Sequence, residues 1–129
     1  MKIWLIISLF TSSALATDFN TDTYSSSLDF AQVTQVEVIQ RASGTWCFDT
    51  SVRHNDQGWE HYADRWEVLD LKGNQLGHRT LGHPHDNEQP FTRSRCNINI
   101  PSEITQVIVR AKCNKHGFGG KALLVELSK

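Results

Sequence analysis

The sequence of 129 residues has about the length of one domain, and its 39% hydrophobic and 21% charged residues are ordinary for a globular protein. Thirteen Lys and Arg against fourteen Asp and Glu leave a net charge of −1, so no basic surface predicts a nucleic-acid or acidic-lipid partner. No apolar run reaches the roughly 18 to 20 residues of a membrane span, so we expect no integral membrane segment after processing.

The chain begins with a predicted secretory signal peptide. Lys2 precedes an apolar stretch from Ile3 to Phe10, and the segment ends in ALA, the small-x-small pattern of a cleavage site. We therefore expect a periplasmic or secreted protein, in an oxidising compartment. The predicted organisation is a signal peptide over 1–16, a polar leader over 17–33 that is loose in its first part, and one domain over 34–129.

Seven short runs in the rest of the chain alternate apolar and polar residues, which predicts β-strands. No segment carries a sustained helical period with caps. The predicted strands are Gln35–Arg41, Thr45–His54, Arg65–Leu71, Gln75–Leu81, Phe91–Ile100, Thr105–Cys113 and Lys121–Leu127. Short strands with frequent turns predict an all-β fold, a seven-stranded antiparallel sandwich of immunoglobulin-like or fibronectin-like type.

Most of the histidines fall at one end of this predicted sandwich. When consecutive strands run antiparallel, successive loops alternate between the two ends. One end receives three turns without a histidine, and the other receives the loops over 55–64, 82–90 and 114–120. Of the six histidines, only His78 lies away from this second end, within a predicted strand.

Imidazoles that converge with a thiol on a rigid scaffold suggest a metal site. The candidates occur in three short motifs: the loop HNDQGWEH, the proline-stiffened pair in HPH, and C-x-x-H in CNKHG. The last spacing lets one ion take a thiolate and an imidazole from a single turn. The candidate metal ligands are His54, His61, His83, His85, Cys113 and His116.

Two of these motifs resemble the iron-binding domain of the superoxide reductases, the desulfoferrodoxin and neelaredoxin group. The stretch from His54 to Glu67 is similar to that family's two histidines around a short loop, and CNKHGF from Cys113 to Phe118 is similar to its closing Cys-Asn-x-His-Gly. The resemblance implies an immunoglobulin-like sandwich and one-electron reduction of superoxide to peroxide, with an unidentified electron donor. It also implies a mononuclear iron with equatorial imidazoles and an axial thiolate, held by His54, His61, Cys113 and His116.

The sequence also departs from that family. The gap between His54 and His61 is one residue longer than the family pattern, and no histidine precedes His54 to match the family's early one. His83 or His85 is the candidate substitute. The segment HPHDNEQPFTRS lies outside the family pattern and resembles a motif of small uncharacterised secreted bacterial proteins, which implies no activity. Whether the protein is an enzyme is therefore open at this point.

Two other functions fit the same residues. The first is a non-enzymatic copper or zinc carrier, although an ordinary blue-copper site often has an axial Met and the mature chain has none. The second is a metal-free interaction module whose aromatic loops bind a glycan or a partner protein. For each of these functions the sequence predicts no nucleic-acid partner. If the protein binds a metal, its ligand is an ion or a small molecule.

The three cysteines separate these functions. If Cys113 binds a metal, Cys47 and Cys96 remain to form a disulfide, and a β-bulge would turn their side chains to the same face. The alternative disulfide joins Cys113 to Cys47 or to Cys96 and removes the thiolate ligand.

Overall fold

The described part of the chain, residues 20–128 of a computed structural model, is built from strands. The strands are β1 (Gln32–Gln40), β2 (Trp46–Arg53), β3 (Ala63–Leu69), β4 (Gln75–Thr80), β5 (Phe91–Ile98), β6 (Gln106–Cys113) and β7 (Leu123–Glu126). All seven predicted strands are confirmed, with ends within three residues of those predicted. The expected signal peptide, 1–16, lies outside the described residues, and within them no helix is long and apolar enough to cross a membrane.

The strands form two antiparallel sheets, which confirms the predicted β-sandwich. The sheet orders are β1-β2-β5 and β4-β3-β6-β7. The fourth strand pairs with β3, whereas in a constant-type immunoglobulin domain it belongs to the other sheet. Because every pair is antiparallel, successive loops alternate between the ends of the sandwich, and the three histidine-bearing loops lie at the same end.

The core lies between the sheets and follows from the alternation in the strands. Trp46, Phe48 and Val52 share the inner face of β2, where each is at most 1% exposed. Trp66 of β3 packs against them as part of the same buried cluster. Burial of each such side chain contributes about 1.5 to 3 kcal/mol, so these residues hold the two sheets in a fixed relation.

Cys47 and Cys96 form a disulfide that joins the neighbouring strands β2 and β5. The register of this pair shifts between Trp46 and Phe48, so Cys47 lies in the bulge that the sequence required. Cys113 is free and buried. Of the three pairings that the sequence left open, the structure therefore has the one that leaves the Cys113 thiol available.

The residues before β1 form an N-terminal strap, residues 20–31, that packs against the sandwich. The amide of Ser25 donates to the carbonyl of Gly119 (2.9 Å), and the amide of Asn55 donates to the carbonyl of Leu28 (3.0 Å). Ala31 is fully buried. The described part of the expected leader is thus attached to the domain because its main-chain groups are paired with the loops at the histidine-rich end.

The contact of the strap with the loop after β6 requires glycine, which gives a first testable prediction. A β-carbon at Gly120 would collide with the carbonyl oxygen of Ala31. We expect Gly120→Ala to lower the free energy of unfolding by about 1 to 3 kcal/mol, because backbone must move to make room. The matched control is Gly82→Ala, where a β-carbon meets nothing within 4 Å and the change should stay within about 0.5 kcal/mol. Equal effects of the two variants in urea denaturation would contradict this account of the strap.

Candidate metal centre

Two overlapping groups of metal-ligating side chains lie at the histidine-rich end. In the first group, His54, His61 and Cys113 are all buried, and their ligand atoms lie within 4.8 Å of one another. The second group joins His61 to the exposed residues Asp29 and His116 within the same limit. His61 therefore belongs to both groups, and four of the six predicted ligands come together in the structure.

The ligands come from separate segments that the sandwich brings together. His54 directly follows β2, His61 lies in the loop before β3, and Cys113 is the last residue of β6. The turn after β6 closes with the amide of Gly117 donating to the carbonyl of Cys113 (3.0 Å), and Gly117 has a φ of 72° that favours glycine. This turn brings the amide of His116 to 3.1 Å from Sγ of Cys113, while the ring of His116 packs against His61.

The three buried donors of the first group converge on one main-chain atom, the carbonyl oxygen of Asp29. His54 Nε2 lies 3.2 Å from it, His61 Nε2 lies 3.3 Å from it, and Cys113 Sγ lies 3.4 Å from it. A carbonyl oxygen has two lone pairs, so it cannot accept three good hydrogen bonds at once. Hydrogen bonding alone therefore does not account for this arrangement.

The other nitrogen of each imidazole determines where the ring hydrogen lies. His54 Nδ1 is 2.6 Å from a carboxylate oxygen of Asp56, and His61 Nδ1 is 3.3 Å from Oε1 of Gln57. Both partners are acceptors, so each Nδ1 carries a hydrogen, and in a neutral ring Nε2 then carries a lone pair. Two lone pairs thus face the Asp29 carbonyl oxygen. Protonating both rings would instead bury two cations whose centroids are only 4.6 Å apart.

The sulfur atom adds a further electron-pair donor. The amide of His116 donates to Sγ of Cys113 at 3.1 Å, so the sulfur acts as a hydrogen-bond acceptor. Two imidazole nitrogens, one sulfur and one carbonyl oxygen therefore point toward the same place. This donor set fits a cation, because imidazole and thiolate are the ligands that first-row transition metals and zinc prefer.

Asp56 fixes the position of this centre. Its buried carboxylate accepts the His54 Nδ1 hydrogen, the amide of Ala63 (3.0 Å) and the amide of His85 (2.7 Å). Burial raises the pKa of Asp56, but the hydrogen bonds from His54, His85 and Ala63 outweigh it and hold the pKa below its ordinary value of 3.8. Such a carboxylate orients a ligating imidazole and increases its basicity. Asp56 lies in the loop HNDQGWEH, whose sequence alone does not distinguish it from Glu60.

His83 and His85 belong to neither group of ligand atoms among residues 20–128. The buried ring of His85 stacks on Phe91 with a centroid distance of 3.9 Å, and its Nε2 accepts a hydrogen bond from Arg93 (2.9 Å). Burial lowers the pKa of His85, and the positive charge of Arg93 lowers it further. His83 is exposed, and its Nδ1 lies 2.9 Å from the carbonyl oxygen of Pro84. The role that the structure gives His85 is to support Asp56.

Asp29 and Phe30 are site residues that sequence analysis missed. Asp29 contributes a main-chain oxygen, which no side-chain motif can reveal. The ring of Phe30 lies 5.6 Å from that of His116, which in turn packs edge-on against His61 at 5.0 Å. A usable signal existed, because antiparallel order places the start of the first strand at the same end as the loop around His54.

The exposed charges around the centre are mainly acidic. Among the strap and the three loops, Lys115 is an exposed cation, and Lys121 lies 6.0 Å above the ring of Tyr24. The exposed acidic side chains of these segments near the centre are Asp29, Glu60, Asp86 and Glu88. The exposed Arg53 directly precedes His54, so this end carries exposed charges of both signs with an excess of acidic side chains.

Comparison with known proteins gives one informative similarity. No protein-family model matches the chain, and no solved structure matches it. The chain is 39% identical over 107 residues to a protein of Halomicrobium mukohataei named "Putative lipoprotein". That alignment covers 81% of this chain and 52% of the relative, so the chain spans about half the length of the curated relative it matches.

The role of Asp56 gives a second prediction. We expect Asp56→Asn to lower the free energy of unfolding by about 1 to 3 kcal/mol at pH 7, because the amide NH₂ must face one of the three buried donors. Since the folded pKa lies below 3.8, the wild-type contribution is present above that value and is lost as the pH falls through the folded pKa. The difference in unfolding free energy between Asp56→Asn and the wild type should therefore shrink at acidic pH.

Urea denaturation from pH 7 to pH 2 measures this effect. The exposed Asp22→Asn is the matched control, and its unfolding free energy should follow that of the wild type throughout. A constant difference between Asp56→Asn and the wild type at every pH would contradict the assigned role.

Proposed function

We propose that the protein is an exported metal-binding protein with a mononuclear centre held by His54, His61, Cys113 and His116. The convergence of three buried donor atoms within 4.8 Å carries this proposal. Export is supported by the predicted signal peptide and by the similarity to a relative that is named as a lipoprotein. The free state of Cys113 beside a separate Cys47–Cys96 disulfide supports a thiolate ligand in an oxidising compartment.

The sharper form of the proposal is a superoxide reductase-like iron centre. Several neutral imidazoles and one thiolate suit Fe(II), and the resemblance of the two motifs supports the same metal. The chemistry that iron supplies in such a centre is transfer of one electron to superoxide, which with two protons gives hydrogen peroxide. The chain's own contribution is to hold the imidazoles through Asp56 and Gln57 and to position the Cys113 sulfur through the His116 amide. An external electron donor must supply the electron for the next turnover.

A copper or zinc carrier is the second candidate, and two observations favour it. The buried group contains two imidazoles and one thiolate without His116, a set that copper and zinc both accept. The exposed side chains around it are mainly acidic, which favours approach of a metal cation and opposes approach of the superoxide anion. The two candidates differ in the bound metal and in redox activity.

Elemental analysis distinguishes the candidates and tests the site. We expect about one metal per chain in protein exported and purified without chelator or affinity histidines. Iron supports the reductase-like centre, and copper or zinc supports the carrier. Cys113→Ser and His54→Ala should lose the metal, whereas the exposed control His83→Ala should retain it. Absence of metal in the wild type, even after loading with Fe(II), copper and zinc, would overturn the proposal and favour the interaction module.

Spectra and superoxide assays test the reductase form. Iron-loaded wild type should show a thiolate-to-iron absorption band that Cys113→Ser lacks, while circular dichroism shows the same β-sandwich in both. The reduced iron protein should consume superoxide and form peroxide without releasing dioxygen. Protein loaded with redox-inactive Zn(II) is the control and should not react. Release of dioxygen, or no consumption by the iron protein, would exclude the reductase activity.

A further inference from the structure

We infer that the main-chain carbonyl of Asp29 is a ligand of the same ion, so that the N-terminal strap closes the metal centre. The inference rests on the proposed metal-binding function and adds a ligand that no sequence motif carries. The inference assigns a role to residues 20–31. Because the strap carries a ligand, the position of the strap depends on the bound metal.

The spacing of the donors supports this inference. The Asp29 carbonyl oxygen lies 3.2, 3.3 and 3.4 Å from the donor atoms of His54, His61 and Cys113. Ligands bound at 2.0 to 2.3 Å around a tetrahedral ion lie about 3.3 to 3.8 Å from one another. The carbonyl oxygen thus has about the separation expected of a ligand that shares an ion with these three donors. Hydrogen bonds to the Asp29 carbonyl explain these distances less well. Both imidazoles carry their ring hydrogen on Nδ1, which faces another acceptor, so Nε2 has no hydrogen to donate.

The carbonyl and the carboxylate of Asp29 lie in different surroundings. The carbonyl oxygen faces the buried group, whereas the carboxylate is exposed and belongs to the group with His61 and His116. A measurement on the carbonyl carbon of Asp29 therefore tests the main-chain ligand separately from the carboxylate.

Gln32 holds the strap in place without touching the ligands. Its buried Nε2 lies within hydrogen-bond distance of the carbonyl oxygens of Ser25 (2.9 Å), Ser27 (3.0 Å) and Phe30 (3.1 Å). Its Oε1 accepts the amide of Lys121 at 3.1 Å. Gln32→Glu keeps the shape and the acceptor but replaces the donor with an oxygen that the strap carbonyls repel. This variant releases the strap while all side-chain ligands stay unchanged.

Carbonyl-carbon NMR of uniformly labelled wild-type protein is the direct test, with Zn(II) as a diamagnetic probe. We expect Zn(II) to change the carbonyl-carbon shift of Asp29 more than that of any other assigned residue in 20–31. Binding of Zn(II) with an unchanged Asp29 shift would overturn the inference and leave the proposed function standing. Failure of Zn(II), Fe(II) and copper to bind the wild type would overturn the proposed function and this inference with it.

The variants provide an independent measurement of Zn(II) affinity by competition with a chromophoric chelator. Gln32→Glu should bind Zn(II) about 10- to 100-fold more weakly, as expected when the support of a ligand is lost. The control variant Asp22→Ala, at an exposed strap residue outside both groups of ligand atoms, should bind like the wild type. Wild-type affinity in a folded Gln32→Glu whose strap amides have shifted would overturn the inference. If Gln32→Glu does not fold, the change in the Asp29 carbonyl-carbon shift of the wild type decides whether the inference holds.

Discussion

The hydrogen bonds to the buried carboxylate of Asp56 are the interaction on which the site depends. They join the two ends of the loop between β2 and β3, through His54 and Ala63, to the main chain of His85 in the next histidine-bearing loop. A buried charge without such partners would cost several kcal/mol, so the loops and the carboxylate stabilise one another. The orientation of the His54 ring, with its hydrogen on Nδ1, follows from this arrangement.

The sandwich provides the rigidity that this polar cluster needs. The core residues keep β2, β3 and β6 in fixed positions, and each of these strands delivers a site residue at the same end. The cross-strand disulfide uses the other two cysteines and lies in the sheet that does not contain Cys113. Packing and covalent structure thus leave one thiol in the place where the imidazoles meet.

Much of this arrangement follows from local sequence signals, and the remainder depends on tertiary packing. Alternation predicts the strands, and antiparallel order predicts that His54, His61 and His116 meet at one end. The same signals also placed His83 and His85 there, because they give the end of the sandwich but not the direction of a ring. Stacking on Phe91 and a hydrogen bond from Arg93 turn His85 away from the ligands, and both depend on tertiary packing.

The donor atoms also indicate what the metal-free protein lacks. Lone pairs of two imidazoles and one carbonyl face one another in a buried space, and water has little access to separate them. The proposed ion would compensate the repulsion between these lone pairs, so it would contribute its binding energy to stability as well as to function. Because the net stability of a single domain is only about 5 to 15 kcal/mol, such a contribution would be a large part of it. The carbonyl of Asp29 supplies one of those lone pairs, so binding of the ion would also stabilise the strap.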